Sequence, residues 1–168
     1  MKTILVAAVT INGQVALADK KHHQSPEAVF GAFFRKAAEA GNIILGKNTY
    51  RMLSHFSGAK ELMASLEVVV LSRTEPESAD YTVVSTPEQA LEHLSRKGFE
   101  TAFIGGGVQT YNAFLEADLV TDIYFSLLPI VTGDGGSLRI NDGKAVKFKL
   151  AEQTMITKGV VQLHFSKS

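Results

Sequence analysis

The sequence predicts an α/β domain with a mainly parallel sheet, helices on both faces and an antiparallel C-terminal portion. Three observations lead there. Continuous apolar runs such as "TILVAAV" (3–9) and "EVVVLS" (67–72) suit strands covered on both faces. Stretches with helical apolar spacing separate them, opened by Ser/Thr-Pro-Glu and closed by Gly. From residue 120 onward, only strand-like segments follow.

Each element has its own reason. "TILVAAV" is a central strand. The polar "TINGQVALADKKHHQ" (10–24) is a long loop of the length that is usually functional. In "SPEAVFGAFFRKAAEAG" (25–41), Ser25 is the expected N-cap, Pro26 the first helical residue and Gly41 the stop. Val29, Phe30, Phe33, Phe34, Ala37 and Ala38 form its apolar stripe. "NIILG" reads as a strand, and "KNTYRMLSHF" and "KELMASL" as helices. "EVVVLS" is a strand by its valines, and "YTVVS" is a short one. "TPEQALEHLSRKG" (86–98) is a helix with a Thr cap, Pro at its first position and a Gly stop. "TAFIGGG" (101–107) is a strand running into three glycines, and "VQTYNAFLEADL" is a helix. "VTDIYFSLLPIV" (120–131) reads as one long strand. "KAVKFKLAEQTMI" and "VVQLHFS" alternate like antiparallel strands at a sheet edge.

With 168 residues, one domain is expected, able to bury roughly 70% of its unfolded surface. The absence of cysteine excludes a disulfide framework, a Cys-ligated zinc and a thiol nucleophile. Seventeen basic residues balance seventeen acidic ones, and no Lys/Arg run marks a nucleic-acid or membrane footprint. No apolar run approaches the roughly 20 residues of a membrane span. The N-terminal "KTILVAAVT" reads as a strand rather than a signal peptide, so a cytoplasmic location is expected. The histidines share no metal-ligand spacing, and no metal site is expected.

Gly41 to Lys47 give G-x-x-x-x-G-K, the outline of a triphosphate-binding loop. Ile43, Ile44 and Leu45 belong in a strand, however, and cannot form the open cradle such a loop requires. Asn48 stands where a magnesium-binding hydroxyl belongs. What survives is a strand ending at Gly46 that opens into a helix at Lys47-Asn48-Thr49. "IGGGVQTY" (104–111) has the same form, and its glycines let backbone approach a ligand closely. "LSR" (71–73) ends a third strand with a hydroxyl and a guanidinium. Ligands of open α/β sheets lie outside the carboxyl ends of the strands. Three such ends favour a nucleotide-like ligand.

"GKNTY" (46–50), "LSR" (71–73) and "IGGGVQTYNAFLEADLVTDIYFSLLPIVTGDGGSL" (104–138) together resemble the dihydrofolate reductase superfamily. The last segment and "SPEA" (25–28) are most similar to the reductase domain of the riboflavin-biosynthesis deaminase/reductase. The resemblance implies a dihydrofolate reductase-like three-layer α/β/α fold and hydride transfer from NADPH to a small heterocycle of the aminouracil ribosyl phosphate type. By position, the cofactor would meet Ala8, Ile11, Gly13, Gly46, Lys47, Asn48, Thr49, Leu71, Ser72 and Arg73. It would also meet Gly105, Gly106 and Gly107, followed by Val108, Gln109 and Tyr111. Lys47 and Arg73 would favour the 2′-phosphate of NADPH over NADH. The family's cis peptide would fall at Gly105–Gly106, and the 10–24 loop would act as a lid. Asn12, Phe30 and Ser126 would face the substrate. Phe30 occupies the place of the folate enzymes' carboxylate, and Glu27, one turn earlier, is the candidate catalytic acid. "MASLE" (63–67) lacks the folate-binding arginine, and the chain contains no Trp. The riboflavin-pathway "DDP" is replaced within "RMLSHF" (51–56). A homodimer is expected, with pairing at the edge left by the 120–131 and C-terminal strands. A divergent dihydrofolate reductase and a non-catalytic nucleotide-binding protein are the alternative readings.

Overall fold

The structure, a computed structural model, describes residues 1–16 and 25–168. Most of the expected lid, with His22 and His23, lies outside the described residues. Strand β1 (Lys2–Thr10) sits at the centre of the sheet. It is flanked by β6 (Thr101–Gly106) and β7 (Asp122–Leu128), both parallel to it. β3 (Asn42–Gly46), β4 (Glu67–Leu71) and β5 (Thr82–Val84) extend the parallel half beyond β6. β10 (Val160–Lys167) and β9 (Phe148–Thr157) extend the other side, antiparallel to β7 and to each other. The expected mainly parallel sheet with an antiparallel C-terminal part is therefore present.

The continuous apolar runs are explained by cover on both faces. Leu5, Ala7 and Val9 of β1 join Ala90 and Leu94 of α4 (Pro87–Arg96) and Tyr111 and Phe114 of α5 (Val108–Glu116). Ile4 and Val6 point the other way, into Phe34 and Ala37 of α1 (Glu27–Ala40). Leu53 of α2 (Lys47–Leu53) and Met63 of α3 (Ala59–Ala64) complete that layer. Asn42, fully buried, bridges β3 and β6: its amide donates to the Thr101 carbonyl at 2.7 Å and accepts from the Phe103 amide at 3.0 Å.

Several boundaries differ from the expectation. Pro26, not Ser25, caps α1, because the Pro26 carbonyl already accepts from the Val29 and Phe30 amides. Ala38 is exposed, so the apolar stripe is narrower. The 120–131 strand is only Asp122–Leu128, since Pro129 has no amide to continue the ladder. The 10–24 loop contains β2 (Gln14–Val15), which pairs with β1 and with β8 (Gly136–Ser137) from the "GDGG" turn. β9 starts at Phe148 rather than at Lys144, and residues 138–144 run along α5. The Arg139 amide donates to Asn112 Oδ1 at 3.0 Å, the Asn141 amide to Glu116 at 2.8 Å, and Lys144 pairs with Glu116. β7 is an interior strand; the edges of the main sheet are β5 and β9.

Candidate functional site

Because β4, β3, β6 and β1 are parallel neighbours, their C-termini open on one edge of the sheet. Gly46 pairs with Leu71, and Leu45 with Gly106 after a register shift. The turns at Gly46 and Gly107 consequently touch. A Cβ at Gly46 would stand 2.8 Å from Thr110 Oγ1 and 3.8 Å from the Gly107 nitrogen. A Cβ at Gly107 would stand 2.8 Å from Thr49 Oγ1.

The end of β4 supplies the polar side. Ser72 Oγ accepts from the amides of Thr74 at 3.2 Å and Glu75 at 3.1 Å, folding the chain back beside β3. Lys47 Nζ donates to Thr74 Oγ1 at 2.8 Å, which joins the ends of β3 and β4. Arg73 is exposed at the same turn, as is Asn48 on the first turn of α2. The nearby carboxylate of Glu75 is engaged by Arg51 at 3.0 Å and by the Tyr81 hydroxyl at 3.2 Å. Among the described residues, these contacts leave Lys47 and Arg73 as the cations of this corner.

The glycines have separate structural reasons. Gly105 is still a strand residue: a Cβ there would meet Leu45 at 2.9 Å and Ile43 at 3.0 Å. β6 thus includes the first two of the three glycines, and the cis peptide lies at Gly106–Gly107 rather than Gly105–Gly106. Gly106, at φ 108°, has a conformation that side chains resist, and its α-carbon is backed by the Tyr111 hydroxyl, 2.8 Å from the missing Cβ. Tyr111 is buried, donates to the Val6 carbonyl at 2.7 Å, and has its phenol pKa pushed up by burial. Val108 packs against Gly136, which draws the "GDGG" segment over the start of α5, while Gln109 is exposed.

The remaining predicted residues divide between the two faces. On the α1 face, Ala8 pairs with Ser126 and packs beside Val29 and Leu128. Buried Ser126 accepts from Gln162 Nε2 at 3.2 Å. Phe30 lies in this layer but turns its ring into the core, with its centroid 4.9 Å from that of Phe34. Glu27 is exposed in the first turn of α1. Ile11 and Gly13 instead line an apolar cleft of about 470 Å³ on the α5 face, with Val9, Phe125, Leu138 and Phe148. Asn12 ties this loop down: its Oδ1 accepts from Thr10 Oγ1 at 2.8 Å and its Nδ2 donates to the Thr132 carbonyl at 2.8 Å. Sequence reading missed Thr110 as a component of the edge, because only the glycines of "IGGGVQTY" drew notice there. It also missed Gln162, which stands directly opposite Ser126 in the β7–β10 ladder.

Further along the α1 face lies a polar cluster. Asp122 Oδ1 accepts from His164 Nε2 at 2.7 Å, and the His164 ring stacks on Tyr124 at 4.1 Å. Lys36 Nζ stands 3.8 Å above Tyr124. Burial raises the Asp122 pKa, but the bonds from His164 and Thr121 and the charge of Lys2 outweigh it and hold it below the usual carboxylate range. Burial, followed by the charges of Asp122, Glu152 and Glu39, raises that of Tyr124. Among the described residues no cluster of His, Asp and Glu is arranged to hold a metal, and no helix is long and apolar enough to cross a membrane.

Comparison with known proteins agrees with this architecture. A riboflavin biosynthesis protein, as described, from Shewanella sp. PV-4 superposes with a TM-score of 0.75 at 20% identity, covering 100% of this chain and 99% of that one. A pyrimidine reductase-like protein from Corynebacterium diphtheriae superposes with a TM-score of 0.76 at 14% identity, covering 99% and 92%. Acinetobacter baumannii RibD superposes with a TM-score of 0.74 at 17% identity; 99% of this chain is covered but only 58% of the longer RibD chain. At these identities the likeness is one of fold. Among curated proteins there is no match. Residues 1–162 match the family described as the RibD C-terminal domain. The chain belongs to the RibD C-terminal domain family, a reductase family of riboflavin biosynthesis.

Proposed function

We propose that this protein is an NADPH-dependent reductase acting on a small heterocycle of the 5-amino-6-(5-phosphoribosylamino)uracil type. The observation that carries the reading is the contact between the Gly46 and Gly107 turns at the edge where the parallel strands end. The residues present fit such a cofactor. Two glycine turns offer backbone without Cβ atoms, and α5 begins with no side-chain cap on its amides. Lys47 and Arg73 supply positive charge beside them.

Bound NADPH supplies a hydride from its nicotinamide C4 to a C=N or C=O bond of the substrate. The chain's part is orientation and exclusion of water. In this reading Lys47, Ser72 and Arg73 hold the phosphates, and Tyr111 fixes the backbone at Gly106. Ala8 and Ser126 form the floor on the α1 face. Glu27, in the first turn of α1, is the candidate proton donor.

Calorimetric titration with NADPH and NADH tests the cofactor, and NADPH consumption tests the substrate. Binding of NADPH with turnover of the aminouracil ribosyl phosphate, and none of dihydrofolate, is expected. No binding at millimolar cofactor defeats the reading. We further propose a homodimer. Leu150 and Met155 are 55% and 66% exposed on the edge strand β9, apolar side chains at an open sheet edge suited to a second copy. A monomer by light scattering at micromolar concentration contradicts it.

A further inference from the structure

Gly46 and Gly107 both have ordinary extended conformations, at φ −72° and −79°, which any residue adopts. Backbone geometry therefore does not require glycine at either position. The obstacle is a hydroxyl in each case. Thr110 Oγ1 lies 2.8 Å from the missing Cβ of Gly46; the other neighbours there are at 3.8 Å, ordinary contact. Thr49 Oγ1 lies 2.8 Å from the missing Cβ of Gly107, with nothing else within 4 Å. Each turn thus contributes a glycine and a threonine, and each threonine fills the space left by the other turn's glycine. Thr110 is 3% exposed and sits on α5, so its side chain has little room to withdraw.

We propose that Thr49 and Thr110 are a reciprocal pair of positioning residues that set the distance between the two turns, and through it the affinity for the cofactor's diphosphate. This rests on the functional reading above for the identity of the ligand. The pairing itself rests on geometry alone. A methyl group at Gly46 pushes α5 and its first amides away from α2. Removing the Thr110 hydroxyl restores the room.

The test is a double-mutant cycle, Gly46→Ala with Thr110→Ala, repeated independently with Gly107→Ala and Thr49→Ala, read by melting temperature and by NADPH titration. Gly46→Ala is expected to lower the melting temperature by about 3–8 °C, and to weaken NADPH binding about tenfold or more. In the Thr110→Ala background both losses should shrink to less than about half, because residues in contact are non-additive. Thr110→Ser, which keeps the hydroxyl, should bind NADPH like the wild type. At saturating NADPH, kcat should change far less than the KM for NADPH, which separates positioning from general damage. Additive effects in both cycles, or a Gly46→Ala variant that binds NADPH normally, overturn the inference. If Gly46→Ala does not fold, the Gly107/Thr49 cycle decides. A wild-type protein that binds no NADPH defeats the functional reading and the affinity role with it, while coupling in melting temperature would still establish the spacing pair.

Discussion

The Tyr111 hydroxyl donates a 2.7 Å hydrogen bond to the carbonyl of Val6, one residue beyond the last β1–β6 pair, Leu5 with Ile104. The side chain of α5 thus continues a ladder that the sheet has stopped making. The same oxygen backs Gly106. Tyr111→Phe removes the donor and leaves a buried carbonyl unpaired, at a cost of about 1–3 kcal/mol. Chemical denaturation should show that loss with an unchanged m-value; a change below a few tenths of a kcal/mol would show that Val6 finds another donor.

Gly106→Ala should be worse than Tyr111→Phe. It adds a Cβ where φ is 108° and the phenol oxygen is 2.8 Å away. A loss of about 2–4 kcal/mol is expected from strain and overpacking together. Combining it with Tyr111→Phe removes the hydroxyl but leaves the ring carbons 2.9 and 3.2 Å from the added Cβ, so only part of the steric share is relieved and the double variant remains less stable than Tyr111→Phe alone in the same denaturation measurement.

Stability should fall in acid through Asp122 and Glu67. In Glu67, burial raises the pKa but is outweighed by hydrogen bonds from Lys97 and His93, so it too is lowered. A lowered folded-state pKa means that the unfolded chain binds the proton more readily. The stabilisation is therefore full above about pH 4, the unfolded carboxylate value, and is lost as pH falls through the lower folded value. Asp122→Asn should melt lower at pH 7 and show a smaller drop in melting temperature between pH 5 and pH 3 than the wild type.

Lys47→Ala with Arg73→Ala should weaken NADPH binding by about tenfold while changing NADH binding little, because only the former carries a 2′-phosphate. The difference should narrow at high salt, as expected for exposed cations. Equal losses for both cofactors would place the two cations on the diphosphate instead.

Much of the fold was legible because local rules and tertiary context agree. Thr86 caps α4 by accepting from the Gln89 amide at 3.3 Å, with Pro87 at the first position, and Gly41 ends α1 at φ 71°. Legibility failed where apolar residues do not mark regular structure. Ile130 and Val131 extend an apolar run, yet Pro129 breaks the ladder and Val131 faces outward. At the candidate site the glycines were visible as punctuation, but of their partners Thr49 was named only as a cofactor contact and Thr110 not at all. Thr49 and Thr110 matter through contacts between segments far apart in the chain, and neither residue type carries that information locally. The division of Ile11 and Gly13 from Phe30 and Ser126 was hidden for a similar reason, since it depends on which face of the sheet each segment crosses.

The place of β1 between β6 and β7 has a consequence for how the protein comes into being. β1 is synthesised well before its long flanking neighbours, neither of which exists until residue 101 and beyond has been made. Until then its most apolar stretch has two open edges, and β3 lacks its partner on that side as well. Folding must wait for distant segments, which makes it slow compared with helical proteins of this size. A nascent chain halted before β6 leaves apolar strands with unpaired edges, the condition that favours aggregation over folding.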